Sequence, residues 1–151
     1  MQSLIFRHEA KGFTLVEIMI VVAIIALVAA MAVPNLLRAR HNANETAAIG
    51  NIRTLAGALE SYHSAQTPVV YPATLPVLSA ATPAYVSPAL TANPRQGYNF
   101  TYVFVNNNQY TLTAVPVTAT VTGTRQFFVD ETGVIRSNAA GAVTNASPPI
   151  E

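Results

Sequence analysis

Two kinds of hydrophobic order divide the chain. From Phe13 to Val33 almost every position is apolar, and the 21 residues FTLVEIMIVVAIIALVAAMAV carry one charge, Glu17. As a helix rising roughly 1.5 Å per residue this run spans about 31 Å, close to the roughly 30 Å of a bilayer's hydrocarbon core. The alternative, a helix buried in a soluble core, asks a domain of this size to hide an exceptionally long apolar rod. Beyond Pro34 the order becomes periodic. Ala43, Ala47, Ile49, Ile52, Leu55, Ala56, Leu59 and Tyr62 recur mostly at three- and four-residue spacing, which predicts an amphipathic helix continuing to about Ala65. Pro34 has no amide hydrogen and disfavours the helical form at Val33, so a kink or local break is expected there. Gly50 and Gly57 each weaken the helix by about 1 kcal/mol relative to alanine.

Pro68, Pro72, Pro76, Pro83, Pro88 and Pro94 then exclude a long regular element. Leu75, Leu78, Tyr85, Val86 and Leu90 can still pin this stretch to a domain surface, with a short helical turn near 74–79. From Gly97 the period becomes two. Asn99–Val105 and Gln109–Val115, separated by Asn106-Asn107-Asn108, predict a hairpin. Thr124–Asp130 and Gly133–Ser137 predict a second pair of strands. Tyr98, Phe100, Tyr102, Phe104, Tyr110, Leu112, Phe127 and Val129 line sheet faces, one of which should pack on the Ile52–Tyr62 stripe. Residues after Asn138 are small and polar and predict a loose tail. The fold class expected is α+β: a long N-terminal helix, its apolar half transmembrane and its second half amphipathic, packed on a C-terminal antiparallel sheet.

The chain has 151 residues and a formal net charge of +1. Two of its eight basic residues, Arg7 and Lys11, precede the apolar run alongside Glu9. From Phe13 onward the six arginines balance six acids, and no lysine occurs. This neutrality leaves no electrostatic footprint for nucleic acid, and it suits subunits that pack against copies of themselves. The chain has no cysteine, which excludes disulfides, thiolate catalysis and cysteine-based zinc sites.

Catalytic chemistry finds no footing. His41 and His63 stand 22 positions apart, without a His-x-x-x-His pair, and read as surface histidines. No glycine-rich phosphate loop or Gly-x-Ser-x-Gly motif is present. No cofactor is expected. Asp130 and Glu131 are weak candidates for a metal, but calcium takes six or more oxygens, and a hairpin turn is the favoured reading. Glu45 and Glu60 read as solvated surface. Asn44, Asn99 and Asn145 begin glycosylation triplets, to which no role is assigned.

Glu17 is the informative charge. A carboxylate inside an apolar helix needs a partner or a route to the headgroups. If the chain is cut before Phe13, a new amino group appears one helical turn away, and a neighbouring copy can offer its own to Glu17. In a medium of low dielectric such a pair favours one axial register.

Lys11-Gly12-Phe13-Thr14-Leu15-Val16-Glu17, followed by the apolar run, resembles the cleavage and methylation site of type IV prepilins and of the pseudopilins of type II secretion. The close match covers residues 7 to about 40. The resemblance implies cleavage after Gly12 by prepilin peptidase and methylation of Phe13. Glu17 would set filament register and assembly, and Pro34 would kink the helix just past the apolar stretch. It divides the chain into a leader (1–12), a transmembrane and filament-core helix (13–33), an amphipathic continuation (34–66), a proline-rich variable loop (67–97), a sheet (98–138) and a flexible tail (139–151). It implies a single-pass precursor in the bacterial inner membrane with its C-terminal domain outside, and a periplasmic or extracellular filament after assembly. The implied partners are other copies, other pilins or pseudopilins, the peptidase and methylase, an inner-membrane platform protein and lipid. The sequence departs from the family in two places. It lacks the Asp-Pro-Trp-Gly-like run of the calcium-binding major pseudopilin and the cysteine pair of many pilins. The competing reading is a secreted or membrane-anchored binding domain, with Arg7 and Lys11 as an n-region and Ala30-Met31-Ala32 as the cleavage site. An enzyme is a third class, without a motif to support it.

Overall fold

The computed structural model describes residues 12–139 and 141–150 of the chain. The leader expected at 1–12 lies outside the described residues except for Gly12. Helix α1 (Leu15–Ala65) is followed by short helices α2 (Pro76–Ala80) and α3 (Pro88–Thr91) and strands β1 (Tyr98–Asn106), β2 (Gln109–Pro116), β3 (Gln126–Asp130) and β4 (Arg136–Asn138). Two compact units meet in sequence at Leu36/Leu37.

The first unit contains the apolar part of α1. Every residue from Gly12 to Leu36 is exposed, as a helix without a polar face must be when nothing packs on it. Pro34 lies inside the helix. The local break expected there does not occur: helical conformation continues on both sides of Pro34. Proline removes its own donation to the Ala30 carbonyl and crowds it, yet the turns on either side stay helical; next to it Asn35 Nδ2 donates to the Met31 carbonyl at 3.1 Å.

The second unit is α+β. Its sheet is an antiparallel meander in the order β1-β2-β3-β4. The turn at Asn107-Asn108 joins β1 to β2, with a register shift between Phe104 and Asn106. Leu112 stands opposite Val129 and Ala114 opposite Phe127, so alternate residues of neighbouring strands share the inner face. Ile52, Leu55, Ala56 and Leu59 of α1 form one core with Tyr98, Phe100, Tyr110, Leu112, Phe127 and Val129, as the helical and strand periods require. The proline-rich stretch contributes Tyr71, Leu75, Leu78 and Val86 to this core. The helical turn expected near 74–79 is α2, and α3 is an element the sequence reading did not anticipate.

Glu45 corrects the expectation of a solvated surface. Its side chain is only 6% exposed, and its carboxylate collects donors from the loop before β3. Oε1 accepts from Thr124 N and Oγ1, both at 2.9 Å, and from Arg125 N at 3.2 Å; Oε2 accepts from Arg125 Nε at 2.8 Å. One residue earlier, Asn44 Nδ2 donates to the Thr122 carbonyl at 2.9 Å. The same loop passes over Tyr98, whose hydroxyl donates to the Arg125 carbonyl at 2.9 Å. Gly123 is required here: a Cβ at this position would lie 2.1 Å from the Tyr98 hydroxyl oxygen. Burial is the largest influence on the Glu45 carboxyl and opposes ionisation, but the hydrogen bonds from Thr124 and Arg125 together outweigh it and take the pKa to about 2.

His63, expected on the surface, stacks on Tyr71 with ring centroids 4.0 Å apart. Tyr71 in turn donates to Glu60 Oε1 at 2.6 Å, so Glu60 is also engaged. The loose tail expected after Asn138 is instead laid along β4. Ser137 N donates to the Pro148 carbonyl at 3.0 Å and Ile150 N to the Ile135 carbonyl at 2.9 Å. Arg136 Nη1 donates to the Ser147 carbonyl at 2.9 Å, and Val143 is buried. Backbone pairing fastens this segment, which its small side chains do not announce. The opposite edge of the sheet, β1, is closed only in part. Arg95 and Tyr98 exchange two backbone hydrogen bonds of 2.8 Å, and the Asn93 side chain engages both N and O of Phe100.

Two measurements check this account on the full chain in detergent micelles. Gly123→Ala should lower stability by about 1–3 kcal/mol through collision with a ring that has no room to yield, read as an earlier loss of the near-ultraviolet tyrosine signal on heating. The depressed Glu45 pKa adds stability that is complete above about pH 4.5 and disappears as pH falls through about 2. Over that window the wild type should lose on the order of 3 kcal/mol, whereas Glu45→Gln should start less stable and show a flatter pH dependence.

Candidate processing and assembly site at the start of the apolar helix

The first helical turn has a specific local chemistry. Thr14 precedes the first helical residue, and its carbonyl accepts from Ile18 N at 3.3 Å, closing the first turn. Glu17 N donates to Thr14 Oγ1 at 3.2 Å, while Glu17 Oε2 accepts from Thr14 N and Thr14 Oγ1, both at 3.3 Å. This reciprocal arrangement is a capping box, in which the N-cap hydroxyl serves the third helical amide and the acid at that position returns to the N-cap amide. It satisfies two of the amide hydrogens that a helix start leaves without partners. It also puts the carboxylate where the helix dipole favours negative charge.

The capping role of Thr14 was missed in the sequence reading, although the Thr-x-x-Glu spacing before an apolar run announces it. It changes the account of Glu17. Before any second copy arrives, the carboxylate already has local donors.

Gly12 and Phe13 precede the helix in non-helical backbone. Phe13 is 80% exposed, and none of the described residues comes within 4 Å of a Cβ added at Gly12. Downstream, α1 is long and apolar enough to cross a membrane, and none of that stretch is buried.

The weak metal candidates serve the fold. Asp130 Oδ1 accepts from Thr132 N at 3.0 Å and from the Thr132 hydroxyl, and Gly133 N donates to the Asp130 carbonyl, forming the turn between β3 and β4. Glu131 Oε1 accepts from Gln109 Nε2 at 3.1 Å. Among the described residues no group of three or more His, Cys, Asp or Glu side chains is placed to hold a metal ion.

Residues 7–33 match the prokaryotic N-terminal methylation motif. The chain is 62% identical over 39 residues to the type IV wide pilus major component PilA4 of Thermus thermophilus, covering 26% of this chain and 30% of that protein. It is 36% identical over 91 residues to the type II secretion system core protein G of Escherichia coli, covering 60% and 61% of the two chains. To the type IV major pilin protein PilA of Myxococcus xanthus it is 41% identical over 59 residues, or 39% and 27%. The chain thus spans between roughly a quarter and three-fifths of the length of these curated relatives.

The capping box can be checked alone. Thr14→Ala should destabilise the first turn by about 1 kcal/mol, seen as faster hydrogen exchange at the amides of Val16 to Ile18 in micelles, with the rest of the apolar helix unchanged. With its matched N-terminal motif and the apolar helix behind it, the chain is similar over part of its length to type IV pilins and to type II secretion core proteins G.

Proposed function

We propose that this chain is a structural subunit of a filament, either a type IV pilus-like fibre or the pseudopilus of a type II secretion system, and not an enzyme. The observation that carries this reading is the exposed apolar helix that begins at Leu15, just after Gly12 and Phe13, with Glu17 in its first turn. The helix first anchors the precursor in the bacterial inner membrane, with the second unit outside. Prepilin peptidase cuts after Gly12, and Phe13 becomes the methylated N-terminus. The platform protein then admits the helix to a bundle of other copies or other pilins, where helix–helix contact replaces lipid.

Within that bundle Glu17 pairs with the amino group of a neighbouring subunit. The capping box fits this role, because its hydrogen bonds to Thr14 at 3.3 Å are long and a cationic donor in low dielectric is the stronger partner. A subunit one register out leaves both the amine and the carboxylate without the right neighbour, and breaking a buried pair is strongly unfavourable. Pro34 marks the place where bending is easiest, since Ala30 there lacks its usual amide donor.

Intact mass of the membrane-extracted protein tests the pathway. The expected product begins at Phe13 and carries one additional methyl group; a product beginning at Val33 identifies a conventional signal sequence instead. Glu17→Ala should be processed normally yet yield at least about tenfold fewer filaments, the effect of losing roughly 1.4 kcal/mol at each subunit addition. Filaments of normal number and length from that variant would refute the register role.

A further inference from the structure

The β1 edge of the sheet is blunted over half its length and open over the other half. Asn93 engages both backbone polar groups of Phe100, which places those groups on the side away from β2. Backbone direction alternates along a strand in an antiparallel ladder, so the N–H and C=O groups of Tyr102 and Phe104 also point outward. Among the described residues neither Tyr102 nor Phe104 has a backbone partner beyond the ladder. Around these open groups Val103, Phe104 and Val105 are exposed, at 49%, 37% and 53%. The devices that normally protect an edge strand, such as lysine, proline or an inward charge, are missing from β1. No charged residue occurs between Arg95 and Arg125.

We propose that this half-edge pairs with the same half-edge of a second copy of the chain. The open residues 102 and 104 are symmetric about Val103, so two identical edges related by a two-fold axis match each other. Tyr102 of each copy then exchanges backbone hydrogen bonds with Phe104 of the other. The absence of charge removes the like-charge repulsion that would otherwise oppose self-pairing. Asn93 restricts the pairing to these residues, and the irregularity beyond Phe104 turns the second strand away from it. A two-fold contact closes on itself. It therefore couples copies in pairs and does not extend a polymer, which makes it separate from the helix-mediated assembly proposed above and independent of it.

The geometry specifies its own test. Val103 lies on the symmetry axis as a non-hydrogen-bonded pair, with Cα atoms about 4.5 Å apart, inside the range a disulfide accepts. Thr101, exposed on the same face, would be four residues out of step with its counterpart, about 13 Å away. Because the chain has no cysteine, single substitutions report cleanly. Full-length Val103→Cys and Thr101→Cys, purified in detergent micelles, where copies need not share one membrane orientation, and mildly oxidised, are compared on non-reducing gels. The expected result is at least about tenfold more disulfide-linked dimer from Val103→Cys, reflecting the distance limit on the bond. Equal dimer from both variants, or none from Val103→Cys, overturns the proposal. A second comparison uses charge. Val103→Lys and Val103→Asp should each abolish crosslinking of the separately purified chains by a backbone-directed photoreactive label, and mixing the two should restore it; crosslinking indifferent to either charge overturns the pairing.

Discussion

The apolar surface of the first unit is exposed along its whole described length. From Gly12 to Leu36 every residue is exposed, and this stretch holds most of the large hydrophobic residues that are exposed among the described ones. Burying one such side chain is worth about 1.5–3 kcal/mol, so the stretch as a whole cannot remain in water. On the proposed function, lipid provides the cover in a membrane and other helices provide it in a bundle. The remaining features of this segment follow from that need. A capped start lets the helix begin without stranded amides, and on the proposed function the single acid serves as a reference point along its axis while the lack of other charges leaves the helix free to exchange one apolar surrounding for another.

The second unit solves a different problem. It holds a small core without disulfides, using one face of an amphipathic helix as the floor for a four-stranded sheet. Its long β2–β3 connection is the place where such a meander would otherwise come loose. Glu45 fastens that connection with four hydrogen bonds, and Asn44 adds a fifth from the adjacent position. The clamp tolerates burial of a carboxylate because each donor is in place. The absence of a side chain at Gly123 lets the loop lie directly against Tyr98.

The parts of this architecture that were legible in the sequence depend on repetition. The apolar run, the helical stripe from Ile52 to Tyr62 and the alternating aromatics of β1 to β3 each state the same message several times, so single exceptions do not obscure it. Single-residue events were less legible. Glu45 looks like any surface acid on a helix, and its burial is decided by residues about 80 positions later. The attachment of residues 147–150 to β4 is made by backbone groups that every residue possesses, so composition gave no sign of it. Thr14 differs from these, because the spacing to Glu17 was present in the sequence and carried a local meaning. At the candidate site the sequence identified the residues, whereas the hydrogen bonds that engage Glu17 in the isolated chain required coordinates.

The two margins of the sheet are guarded unequally, and the guard on β4 is the chain's own final stretch. Enzymatic trimming that removed Pro148 to Ile150 would spare the central strands but strip the outer bonds from Ile135 and Ser137. A molecule shortened in this way would have a second unprotected margin, and a protein with two adhesive borders can propagate sideways into ribbons where one with a single border stops at pairs.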